Sequence, residues 1–166
     1  MSITIPKQTA DTSTWLVALL LALGGCASNL ITADQAPVLS SGQGLAAVVL
    51  DTLDPITQVV LAPISEQGGE LSIPTVPVGR HLYLLAAPAG RYCIHQFHYD
   101  TLNFKAANDS LCFDVAAGHI SYSGDFAPRV VDGTVVLERN DNYQDFISLL
   151  QTAYPRAAAG IPIAPR

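Results

Sequence analysis

The chain has 166 residues, with 8 Lys or Arg against 14 Asp or Glu, a formal net charge of −6 and only 13% charged residues. That length suits one compact domain, and an acidic chain with two lysines and no basic cluster lacks the cations that neutralise nucleic-acid phosphates. Mean hydropathy is +0.32, yet no apolar run reaches the roughly 18 residues of a bilayer span, which excludes a many-pass membrane protein.

The first element is a leader carrying Lys7 and Asp11, followed by the apolar stretch W-L-V-A-L-L-L-A-L-G-G from Trp15 to Gly25 and then Cys26. Its length is that of a signal-peptide core. The four residues Leu23, Gly24, Gly25 and Cys26 resemble the lipobox of bacterial lipoproteins. The resemblance implies a diacylglycerol thioether on Cys26, cleavage before it and N-acylation of the new terminus. Two glycines leave a thin backbone for a membrane peptidase, a thiolate is the required nucleophile, and two or more acyl chains hold a protein stably on a bilayer. By the sorting rule of two-membrane bacteria, Ala27 rather than Asp after the cysteine implies the outer membrane. Removing residues 1–25 removes Lys7 and Asp11 together, so the mature charge stays at −6.

Residues 26–43 hold Pro, Ser, Asn and Gly without a sustained period, which predicts a lipidated cysteine followed by a flexible tether. From Gly44 the texture becomes short β-rich runs. Leu45–Asp51 and Ile56–Ala62 flank Asp54-Pro55 and read as a hairpin. Leu71–Val78 holds Pro74 and Pro77, so it is an edge strand or a loop, whereas His81–Ala87 is apolar enough for a central strand. Pro88-Ala89-Gly90 turns into Arg91–Tyr99. A polar loop over 100–109 leads to Ser110–Val115, and Gly118 introduces His119–Ser123, which ends at Gly124 with Asp125 in the turn. Asp132-Gly133 is the clearest signal, since both residues take the positive φ angles of a two-residue hairpin loop. The period then changes: Tyr143, Phe146, Ile147, Leu150, Ala153 and Tyr154 recur at three and four, one face of a helix from Asp141 to Tyr154. Asp141 with Gln144 forms a capping-box pattern, and Pro155 stops the helix. Residues 156–166 read as a loose, disordered tail.

This pattern predicts a mainly β fold over 44–155, an Ig-like or prealbumin-like antiparallel β-sandwich with one C-terminal amphipathic helix, with an open α+β sheet as the other architecture. The runs G-R-Y-C-I at Gly90–Ile94 and F-D-V-A-A-G-H-I-S-Y-S-G-D-F at Phe113–Phe126, then a helix closed by Ala-Tyr-Pro, are similar to small bacterial lipoproteins with a prealbumin-like sandwich. The resemblance implies a fold and no catalytic residue.

With Cys26 assigned to lipid, Cys93 and Cys112 remain, an even number for an oxidising compartment. If Tyr92 and Ile94 point inward in one strand and Leu111, Phe113 and Val115 in another, both cysteines share the opposite face and can meet as a disulfide. Of the histidines, His95 and His98 lie three apart in one strand and should project to opposite faces, and His81 and His119 complete no metal-ligand spacing, so no metal is expected. Ser121 and Ser123 lack the Gly-x-Ser-x-Gly frame. Asp51, Asp54, Asp114 and Asp125 show no pairing signal and read as solvated loop carboxylates. Asn108-Asp109-Ser110 is a sequon that matters only where glycosylation machinery reads it.

These features point to a non-enzymatic, lipid-anchored envelope domain of binding or structural type, on the periplasmic face of the outer membrane. It would have an envelope protein partner, no nucleic-acid partner, no cofactor and no catalytic residues. An envelope hydrolase assembled from dispersed Asp, His and Ser, or a small-ligand or metal carrier, are the alternatives.

Overall fold

The computed structural model describes residues 29–65, 68–99, 102–105 and 111–165. The strands in chain order are β1 Gln43–Thr52, β2 Ile56–Pro63, β3 Leu71–Val76, β4 Gly79–Pro88, β5 Gly90–Tyr99, β6 Leu102–Lys105, β7 Cys112–Val115, β8 Ile120–Val131 and β9 Thr134–Asn140. Helices α1 Tyr143–Ala153 and α2 Pro155–Gly160 follow. Two sheets form a sandwich: sheet A in the order β4-β1-β8-β9, and sheet B in the order β3-β2-β5-β6 with β7 also on β5. The expected mainly β sandwich with a C-terminal helix is the fold.

Period-two alternation divides β1 between two cores. Ala46, Val48 and Leu50 face sheet B, where Ile56, Leu61, Ile94 and Phe97 meet them beside Phe126 of the neighbouring β8. Leu45, Ala47 and Val49 face the other way, onto Phe146, Leu150 and Tyr154 of the helical layer. β1 is therefore covered on both faces, and that explains why it is a continuous apolar run. Its pairing is mixed. β1 runs antiparallel to β4 and parallel to β8, Leu45 opposite Ile120 and Leu50 opposite Phe126, so the sandwich departs from a wholly antiparallel one.

Several sequence expectations are corrected. Leu45–Asp51 and Ile56–Ala62 are strands but not a hairpin: the Asp54-Pro55 turn carries the chain from sheet A to sheet B, because both hydrogen-bonding edges of β1 are already taken, by β4 and β8. His81–Ala87 lies in the outermost strand of sheet A rather than a central one. Its apolar content follows from burial of Leu82 and Leu84 beneath the helices and of Leu85 and Ala87 toward sheet B. The edge of β4 is occupied by the chain itself: Ile31 N–H donates to Leu84 O at 2.8 Å, and Ala86 N–H to Asn29 O at 2.7 Å. Residues 29–31 are thus docked rather than part of a free tether, and Ile31 is buried.

β3 is the edge strand its prolines indicated, and its ladder with β2 skips Pro74 and Gln58, the latter at φ 54. Part of the polar loop, Leu102–Lys105, is a strand, held by stacking of Phe104 on Phe97 at 4.5 Å. The 155–165 segment is not loose. It forms α2, buries Ala157 and returns alongside β8, where Ile120 N–H donates to Pro162 O and Ala164 N–H to Ile120 O. The Asp132-Gly133 turn forms as expected, with φ of 49° and 75°, and joins β8 to β9.

Candidate functional site

Gly124 does not end its strand; it bulges it. Ala47 pairs with Tyr122 and Val49 with Asp125, so β8 inserts one extra residue, and Gly124 adopts φ 99. The insertion reverses the alternation: Tyr122 and Asp125 both face the helical layer, while Phe126 turns into the inter-sheet core. A Cβ on residue 124 would lie 2.8 Å from Arg139 Nε, so both conformation and space require glycine.

The bulge brings Asp125 into a polar cluster at the N-terminus of α1. Asp125 is 3% exposed, which corrects the expectation of a solvated turn carboxylate. Tyr122 Oη donates to Asp125 Oδ1 at 2.6 Å, Asn142 Nδ2 to Oδ2 at 3.0 Å, and Arg80 Nε to Oδ2 at 2.9 Å, with Arg80 Nη2 2.7 Å from the same oxygen. Arg80 arrives from β4 on the same face as Leu82 and Leu84 by strand parity. The backbone N–H of Asn142 donates to Tyr122 Oη at 3.1 Å. The helix start is therefore satisfied by a tyrosine hydroxyl from the sheet, and the expected capping box of Asp141 and Gln144 gives way to Asn142 as N-cap, which makes no side-chain cap bond. Burial and the hydrogen bond to Asp125 push the Tyr122 phenol well above its usual range. The rings of Tyr122 and Phe146 stack at 4.4 Å, joining this cluster to the core below α1.

Beside the cluster lies a cavity of about 460 Å³, walled by Asp114, Ser121, Tyr122, Arg139, Asn140 and Tyr143 with residues of the C-terminal return. It combines carboxylate, hydroxyl, guanidinium and aromatic groups. Arg139 is committed on one side: its Nη1 donates to Cys112 O at 2.9 Å, and its guanidinium lies 5.7 Å from the Phe126 ring centroid.

The other singled-out residues are dispersed. Asp51 accepts from Arg129, Asp54 accepts from Tyr99 Oη at 2.5 Å, and Asp114 lies 3.8 Å from Arg91. Ser121 Oγ accepts from Ala116 N–H, and Ser123 Oγ donates to Ala47 O. His81, His98 and His119 sit against Val78 O, Gln96 Nε2 and Ala117 O respectively. His95 and His98 do not take opposite faces: Val60 pairs with Gln96 and Leu61 with Ile94, a bulge at His95 that leaves Ile94 and Phe97 buried inward and places both histidines on the outer face. Among the described residues no group of three His, Cys, Asp or Glu is placed to hold a metal ion, and no helix is long and apolar enough to cross a membrane.

Cys93 and Cys112 are joined, directly opposite each other in the β5–β7 ladder. Tyr92, Ile94, Leu111, Phe113 and Val115 point inward as parity requires. Cys26 and the Asn108-Asp109-Ser110 sequon lie outside the described residues. No protein-family model, curated protein or solved structure matches the chain.

Proposed function

We propose that this protein is a lipid-anchored cell-envelope domain of binding type, attached through Cys26 on the periplasmic face of the outer membrane, which adds the open edge of β9 to an extended segment of an envelope partner. The observation that carries the binding reading is the contrast between edges. β4 is covered along Leu84–Ala86 by residues 29–31 and β3 is interrupted at Pro74, whereas among the described residues no strand pairs with any part of the outer side of β9. An uncovered edge presents N–H and C=O groups that a partner strand satisfies, and β9 offers Val136, 42% exposed, at its middle. The lipobox-like Leu23-Gly24-Gly25-Cys26 supports the anchor. A photo-crosslinking residue at Val136 should capture an envelope protein in living cells, and Val136→Pro should abolish capture by an independent crosslinker at Glu138. Recovery of monomer alone from both positions refutes the reading.

The cavity favours a second reading, a small polar ligand held between Tyr122, Tyr143 and Asp114. Protection of the protein against thermal unfolding by members of a polar metabolite set, lost in Tyr143→Ala, would support that alternative.

A further inference from the structure

We infer that the domain is seated end-on against the lipid bilayer, on the end of sheet A formed by the turns 40–43, 88–90 and 116–119, rather than being held away from it on a tether. The inference rests on acylation of Cys26 as proposed above. Its geometric basis is the docking of residues 29–31 on β4. Leu30 pairs antiparallel with Leu85, Asn29 O accepts from Ala86 N–H, and Ile31 N–H donates to Leu84 O. Going backward from Ile31 to Asn29, the chain advances along β4 toward Pro88, so it leaves the domain at that end. Cys26 is three residues from Asn29, and three residues reach at most about 10 Å. That chain length ties an acylated residue 26 to within about 10 Å of Asn29, whose carbonyl is bonded two residues short of Pro88.

The chemistry of that end suits a headgroup layer. The three turns are contiguous, since Ala89 N–H donates to Gly42 O and Gly118 N–H to Gln43 O. They read Ser-Ser-Gly-Gln, Pro-Ala-Gly and Ala-Ala-Gly-His, small and without a single Asp or Glu in a chain of net charge −6. The carboxylate flanking the third turn, Asp114, lies 3.8 Å from Arg91 Nη1, and this cation offsets its repulsion of phosphate-bearing lipids. Val38, 92% exposed and two residues before the first turn, and Ile64, 57% exposed and bonded to Arg91 O beside Gly90, add apolar side chains at the same end. The opposite end, where Thr52 pairs with Gly79, carries Asp51, Asp54 and Asp132. The 10 residues of β1 separate the two ends by roughly 33 Å.

The test uses the full acylated protein in phosphatidylethanolamine–phosphatidylcholine vesicles containing a nitroxide-headgroup lipid. With Cys93 and Cys112 joined and Cys26 acylated, an introduced cysteine is the single free thiol for a fluorophore. Label on Ala117→Cys should be quenched several-fold more than label on Leu53→Cys. A flexible Gly-Ser insertion after Ala27, about 12 residues and so a coil of roughly 20 Å, should reduce quenching at 117 to the level at 53. Equal, weak quenching at both positions in protein whose intact mass shows the acyl groups overturns the seating alone. An intact mass without acyl groups overturns the anchor and the seating together.

Discussion

Replacing Asp125 with Ala should be the most costly polar substitution in the domain. The carboxylate is 3% exposed and accepts from Tyr122, Asn142 and Arg80. Its removal leaves a phenol and an amide with no acceptor, and a guanidinium whose other carboxylate, the exposed Asp145, stands 4.0 Å away. Removing one partner of a fully buried ion pair costs about 3–5 kcal/mol. Because the Arg80 side chain retains 30% of its exposure and water can solvate it after the change, the lower end applies, about 3 kcal/mol. At a urea m-value of about 2 kcal/mol/M that is a midpoint shift of about 1.5 M. Urea unfolding followed by tryptophan-independent far-UV circular dichroism measures it. Arg80→Met combined with Asp125→Ala should then cost less than the two single changes together, with a coupling of about 1–2 kcal/mol. A loss below about 1 kcal/mol for Asp125→Ala, the range of an exposed pair, or strict additivity in the cycle, would refute the buried-network account.

Reducing the Cys93–Cys112 link, or replacing both residues with Ala, should lower stability by about 3 kcal/mol, since a loop of 19 residues is released in the unfolded chain; the same urea titration reads it. Gly44→Ala places a Cβ 2.1 Å from Ala116 O, and forcing β1 away from that turn should cost about 1–3 kcal/mol, seen as a lowered midpoint with unchanged m. Phe146→Ala empties the space between α1 and sheet A and should cost about 3–5 kcal/mol, with early loss of amide protection in α1 by hydrogen exchange. Tyr122 titrates above its unfolded value of 10.0, so below pH 10 its contribution is intact, and above pH 10 the unfolded chain releases a proton that the folded one retains. Wild-type stability should therefore fall with rising alkalinity more steeply than that of Tyr122→Phe, and parallel slopes in alkaline urea titrations would contradict the assignment.

The elements legible in the sequence are those whose signals are local. Asp132-Gly133 fixes its own backbone angles, the apolar residues from Tyr143 to Tyr154 share a helical face, and cysteine count together with strand parity brought Cys93 to Cys112. What sequence could not reveal depends on partners distant in the chain. Whether β1 continues into a hairpin or crosses to another sheet is decided by residues at Leu82–Leu85 and Ile120–Phe126, not by Asp54-Pro55. Both bulges defeat the parity argument, because one inserted residue reverses every side chain beyond it. At Gly124 that reversal buries a carboxylate, and at His95 it moves two histidines to one face. The glycine itself was the available signal for the first, since an isolated glycine within an alternating run marks a bulge as readily as an end. Nothing local marks the second. Arg80 was missed because a lone arginine beside Gly79 gives no hint of its acceptor 45 residues away.

The parallel neighbour of the first strand comes 75 residues later, Ile120 against Leu45. Until translation has delivered that stretch, one whole flank of the innermost ribbon has nothing to bond to, and the helices that roof it arrive later still. Closure is consequently a last-minute event, limited by long-range pairing of the kind that makes folding slow. A chain interrupted anywhere before Ile120 is left with its most apolar strand half-clothed and prone to associate with its own copies.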